Sequence, residues 1–179
     1  MDDKWKKFNL RLDREFLALR SKLTITLYGS YSPKDEKAFL IKRKKFLIQN
    51  GYTETKIVQD YQDEHPSLNA SEVSKRCLEF SNVNFLIITN KGKKLGVTKE
   101  LGYIADSTRM VDKQAYCIVF DQKIGNRSSL SQLSLDDIKD IRISVREFTT
   151  TRQLEVALLT EAFFFLRKLK GRLDQLPDT

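Results

Sequence analysis

Hydrophobic positions along the chain fall into two alternating rhythms. Trp5, Phe8, Leu12, Phe16 and Leu19 recur every third or fourth residue with Lys and Arg between them. That spacing predicts an amphipathic helix over residues 3–20. The β-branched run Leu-Thr-Ile-Thr-Leu-Tyr at 23–28 ends at Gly29 and predicts a first strand. Ser32 before Pro33 reads as an N-cap with proline in the first helical turn, and Asn50-Gly51 supplies the left-handed stop. A short strand at 56–60, a polar loop at 61–70 containing Pro66, and a helix beginning near Ser71 and Ser74 follow. Val73, Cys77 and Leu78 lie on one side of that helix. Residues 84–90 are the most strand-like run, with a continuous apolar centre that suits a strand covered on both faces. A helix over 96–108 would bury Val97, Leu101, Ile104 and Ala105. Strands at 114–121 and 141–148 enclose a short helix within 128–139, and a long helix spans 151–176.

Strand alternating with helix five times implies parallel strands joined by right-handed crossovers. The expected architecture is a three-layer, flavodoxin-like or Rossmann-like α/β fold. Its five-stranded, mostly parallel sheet is ordered 2-1-3-4-5, with additional N- and C-terminal helices. No repeat, linker or low-complexity stretch divides residues 1–179, so one domain is expected. Phe163, Phe164, Phe165 and Leu166 make the last helix apolar around more than one face. Either the N-terminal helix covers the second face or a homodimer does.

Composition narrows the class. Of 179 residues, 40% are hydrophobic and 31% charged, which is ordinary for a folded globular protein. No apolar run approaches the ~20 residues that a membrane-spanning helix needs. The opening Met1-Asp2-Asp3-Lys4 lacks the basic start and apolar core of a signal peptide, and the expected location is cytoplasmic. Cys77 and Cys117 sit in separate apolar elements and read as small hydrophobes in a reducing compartment. One His and two distant Cys cannot furnish the usual zinc ligand set, so no metal is expected. The net charge of +8 comes from 32 basic residues interleaved with 24 acidic ones along the whole chain. Most belong to solvated faces, and nucleic-acid binding rests on charge alone. Lys91, Lys93 and Lys94 differ by clustering in a predicted loop, where they would attract a phosphorylated ligand.

In an open parallel sheet, ligands bind beyond the carboxyl ends of the strands where strand order reverses. That point lies between the first and third strands. Gly29-Ser30-Tyr31-Ser32 meets the loop from Asn90 to Gly96 there. The first segment offers hydroxyls and backbone N–H groups suited to phosphate or ribose, and equally suits a glycine turn with a serine cap. The second leads to Glu100 in the first turn of the following helix. An acid at that position stabilises a helix dipole by ~0.3–1 kcal/mol whether or not it does chemistry.

The segment 78–106 holds Asn84-Phe85-Leu86-Ile87-Ile88, then Gly96-Val97-Thr98-Lys99-Glu100-Leu101-Gly102-Tyr103-Ile104-Ala105. It resembles the nucleoside 2-deoxyribosyltransferase family, and Leu27-Tyr28-Gly29 resembles that family's first strand and glycine turn. Related base–sugar chemistry occurs on similar sheets in nucleotide N-glycosidases and in Toll/interleukin-receptor NAD hydrolases. The resemblance implies cleavage or transfer at the N-glycosidic bond of a nucleotide or nucleoside, without a cofactor. Glu100 would be the nucleophile at C1′, oriented by Tyr28 or Tyr103. Ligand contacts would come from Gly29, Ser30, Tyr31, Ser32, Asn90, Lys94, Gly96 and Thr98. Two departures stand out: Asn84 and Lys94 occupy positions where that family usually carries acids. They count against base exchange on free deoxynucleosides. With Lys91, Lys93 and Lys94 favouring a phosphorylated ligand, they point to a nucleotide hydrolase or to a module that senses a nucleotide without turning it over.

Overall fold

The computed structural model describes residues 15–92, Tyr103, 116–124, 127–128 and 143–173. Its centre is a parallel sheet of β1 (Ile25–Gly29), β2 (Thr55–Ile57), β3 (Val83–Ile88), β4 (Tyr116–Ile124) and β6 (Ser144–Phe148). The parallel strands run in the order β2-β1-β3-β4-β6, which is the expected 2-1-3-4-5 arrangement. A short antiparallel strand, β5 (Arg127–Ser128), folds back onto the end of β4 and pairs Ile124 with Arg127.

Every residue of β1 and of β3 is buried. Strands with apolar side chains on both faces need cover on both, which a helical crossover on each side provides. On one face, Ile25, Leu27, Phe85, Ile87, Ile118 and Phe120 meet Leu40 and Leu47 of α2 (Lys34–Gln49). The same face meets Leu154, Leu158, Ala162, Phe165 and Leu166 of α5 (Thr151–Leu173). On the other, Tyr28, Leu86, Ile88, Cys117 and Val119 pack on Val58 of α3 (Val58–Glu64) and on Val73, Cys77 and Leu78 of α4 (Ala70–Phe80). The result is three layers. Cys77 and Cys117 are buried free thiols within the second cluster.

A helical segment, α1 (15–22), lies against α5. Phe16 meets Phe163 at 5.4 Å between ring centroids, and Lys170 Nζ reaches Glu15 Oε2 at 2.7 Å. The N-terminal helix therefore covers part of the second apolar face of α5, while Phe164 remains 46% exposed.

Three local expectations need correction. The stretch expected as a polar loop from residue 61 instead holds most of α3, which runs from Val58 and shortens β2 to Thr55–Ile57. Asp60 makes that possible by accepting the Ile57 N–H at 2.7 Å and pairing with Lys44 at 2.8 Å. Helix α4 starts earlier than Ser71. Asn69 is its cap, accepting the N–H groups of Ser71 and Glu72, and Glu72 accepts the Asn69 N–H in return. Finally, Ser32 does not cap α2. Pro33 occupies the cap position, and no side-chain hydrogen bond is made there. No described helix is long and apolar enough to cross a membrane.

Candidate functional site

The crossover from β1 to β2 runs through α2 on one face, and that from β2 to β3 runs through α3 and α4 on the other. β1 and β3 are neighbours in the sheet, so strand order reverses between them, and beyond the carboxyl ends of such a pair a doubly wound sheet is expected to form its ligand crevice. Gly29 ends β1 under close constraint. A β-carbon there would lie 2.9 Å from Leu40 Cδ2 and 3.0 Å from the Ile87 carbonyl oxygen. The loop after β3 closes on the loop after β1. A β-carbon on Gly92 would lie 2.7 Å from Ser30 Cβ and 2.9 Å from Thr89 Oγ1. The two loops expected to meet do so, through this glycine.

Hydrogen bonds fix both loops. Ser30 Oγ donates to the Ser32 carbonyl at 2.7 Å and accepts the Ser32 N–H at 3.2 Å. Tyr31 Oη accepts the Gln59 N–H at 3.2 Å and so satisfies a donor in the first turn of α3. On the other side of β3, the Asn90 N–H donates to Gln122 Oε1 at 3.1 Å, and Asn90 Nδ2 donates to the Gln122 carbonyl at 3.2 Å. The β3 loop is thereby tied to β4.

Glu36 was not singled out in the sequence, yet it is a buried carboxylate tied to the loop after β3. It sits in the first turn of α2, is 7% exposed, and accepts a short hydrogen bond from the Thr89 hydroxyl. Thr89 Oγ1 in turn accepts the Gly92 N–H at 3.1 Å. Carboxylate, hydroxyl and loop backbone form one chain. A signal for it existed, because positions 36, 40, 43 and 47 form the buried stripe of α2. Asp121, 1% exposed near the end of β4, is a second buried carboxylate near this end of the sheet.

The expected site residues divide. Gly29, Ser30, Tyr31, Ser32 and Asn90 are brought to the crevice as described. Lys91 is exposed beside Gly92. Tyr28 is fully buried, and its hydroxyl donates to Asn84 Oδ1 at 3.1 Å. Asn84 lies two residues nearer the start of β3 than Leu86, the register partner of Tyr28. The phenol therefore leans back into the core rather than toward the crevice. Asn84 Nδ2 is buried without a hydrogen-bond partner. Tyr103 Oη lies 2.5 Å from Ser71 Oγ, with Lys75 Nζ 4.9 Å from its ring centroid, so it stands over the start of α4. Glu100, Lys93, Lys94, Gly96 and Thr98 lie outside the described residues.

Phosphate binding at the start of α2 is opposed by its chemistry. Pro33 has no N–H to donate, and the first turn carries Asp35 and Glu36. Among the described residues, no group of three or more His, Cys, Asp or Glu side chains is placed to hold a metal ion. A shallow depression on the outer edge of β2 is lined by Lys44, Lys56, Asp60 and Glu64. Of its carboxylates, Asp60 and Glu64 are already matched by Lys44 and Lys56 at 2.7–2.8 Å. Comparison with known proteins finds no matching family model, no curated relative and no matching solved structure.

Proposed function

We propose that the crevice between β1 and β3 binds a nucleotide or nucleoside and that the protein acts on its base–sugar bond, with Glu100 as nucleophile. The observation that carries the binding half is the closure of Gly92 on Ser30. It brings polar groups of two loops together where a doubly wound sheet accepts its ligand. The chemical half rests on the resemblance around Glu100. Breaking an N-glycosidic bond builds positive charge on C1′, and a carboxylate close to that carbon stabilises the charge or forms a glycosyl ester. Water or a second base then resolves the ester. Exposed Lys91 supports a phosphorylated ligand, its charge reinforced in sequence by Lys93 and Lys94.

A second reading, a nucleotide-sensing module without turnover, is favoured by one specific observation. The Tyr28 hydroxyl, expected to orient the nucleophile, is bonded within the core to Asn84, the amide that stands where the resembled family carries an acid. Incubation with a panel of nucleosides and nucleoside monophosphates separates the two. Release of free base, read by chromatography, supports the enzyme; saturable binding without release supports the sensor. Two buried free thiols fit a reducing, cytoplasmic setting. Exposed Phe164 and Val156 on α5 support a homodimer, which light scattering checks.

A further inference from the structure

We infer that Glu36 makes the β1 side of the crevice a subsite for a neutral, hydroxyl-bearing group, the sugar of the ligand, rather than for its phosphate. The inference deepens the nucleotide-binding reading and rests on it. Three features carry it. Glu36 is only 7% exposed, yet neither Lys nor Arg pairs with its carboxylate among the described residues. Only Oε2 is engaged, by the Thr89 hydroxyl, which leaves Oε1 able to accept a second hydroxyl. Through Thr89 it is one hydrogen bond from the Gly92 N–H, where the two crevice loops touch.

The surrounding chemistry selects against an anion. Pro33 withholds the N–H that a phosphate would use, and Asp35 adds a second negative charge in the same helical turn. A buried carboxylate that already accepts from one hydroxyl is a ready acceptor for another, because such charge-assisted bonds are about twice as strong as neutral ones. The same carboxylate repels phosphate in a setting of reduced dielectric. The ligand is thereby oriented. Its sugar hydroxyls turn toward Glu36 and its phosphate toward exposed Lys91.

The test crosses two ligands with two proteins. Binding of a nucleoside and of its 2′,3′-dideoxy counterpart is measured by calorimetry on the parent chain and on Glu36→Gln. Glutamine keeps a carbonyl acceptor for Thr89, removes the charge and puts an NH2 donor where Oε1 would accept the sugar hydroxyl. The expected result is a loss of about tenfold or more for the nucleoside, since a hydrogen bond to a charged group contributes ~1.5–3 kcal/mol, with the dideoxy ligand changed less than twofold. Equal losses for both ligands make Glu36 a loop support and overturn the subsite, as does no loss for either. Failure of the parent chain to bind any nucleoside or nucleotide removes the nucleotide reading itself, and this inference with it. Should Glu36→Gln unfold, Thr89→Val replaces it, losing the hydroxyl that positions Glu36. The same selective loss for the nucleoside is then expected, and an equal loss for both ligands overturns the subsite.

Discussion

Gly92 stands directly against Ser30, with room for a hydrogen and none for a methyl group: a β-carbon there would lie 2.7 Å from Ser30 Cβ. Neither neighbour can yield cheaply, because Ser30 Oγ is bonded to Ser32 and Thr89 Oγ1 is bonded to Glu36. Gly92→Ala should therefore lower stability by about 1–3 kcal/mol, the usual cost of overpacking. Urea denaturation measures it. An unchanged midpoint would mean that the loops part freely and that the crevice is not built by this contact.

Arg43 is buried between α2 and α5, where Nη2 reaches Glu155 Oε1 at 3.4 Å while Nε and Nη1 have no hydrogen-bond partner. Burial pushes the guanidinium below its ordinary value, and Glu155 partly restores it. An incompletely satisfied buried ion costs nearly what it returns. Arg43→Met should be neutral or stabilising by about 1–2 kcal/mol, whereas Glu155→Ala, which leaves the cation buried alone, should cost about 1–3 kcal/mol. Finding both variants equally destabilised would contradict this account.

Alkaline pH should unfold the protein through two phenols. Burial raises Tyr52 above the ordinary phenol value, with Arg20 opposing. Burial, reinforced by Glu161, does the same to Tyr116. The folded state thus holds these protons more tightly than the unfolded chain does. The associated stability is fully present below pH ~10 and is lost as pH rises past it toward the folded values. Melting temperature should fall across that window. Tyr52→Phe and Tyr116→Phe should each flatten the fall, and an unchanged slope in both would refute the linkage.

Much of this fold was legible because its strands carry strong signals. β1 and β3 are dominated by apolar residues, and their complete burial is that of strands covered by helices on both faces. Helix α3 was not, since its sequence Val-Gln-Asp-Tyr-Gln-Asp-Glu is short and polar. Its start depends on distant partners, Lys44 on Asp60 and Tyr31 on Gln59, which no local pattern reveals. The start of α4 is encoded in the Asn69–Glu72 capping pair, while Ser71 and Ser74, which are equally good cap residues by type, lie inside the helix. At the site, the meeting of the two loops followed from topology. Glu36 stayed hidden because an acid in a first helical turn reads as a dipole contact until Thr89 is seen against it. Glu100 carries the chemical expectation from sequence alone, outside the described residues.

The charge near Lys91 predicts a salt-sensitive preference. A nucleoside monophosphate should bind more tightly than its nucleoside at low ionic strength, because exposed Lys91 with Lys93 and Lys94 attracts the phosphate. The preference should shrink as salt rises, since exposed charges are screened beyond about 8–10 Å at ordinary ionic strength. Titrations at two salt concentrations measure it. Equal affinity for both ligands at low salt would remove the lysines from the site.

The most direct test of the central claim is base release by Glu100→Gln, read on the same sample as its melting temperature. Glutamine preserves size and one carbonyl acceptor while removing the charge proposed to act at C1′. Catalysis by Glu100 predicts that base release falls by orders of magnitude, at tenfold for each ~1.36 kcal/mol of lost transition-state stabilisation. The melting temperature should stay within a few degrees of the parent, because the lost charge would cost only ~0.3–1 kcal/mol as a dipole contact. A Glu100→Gln protein that releases base at the parental rate would contradict the assignment outright.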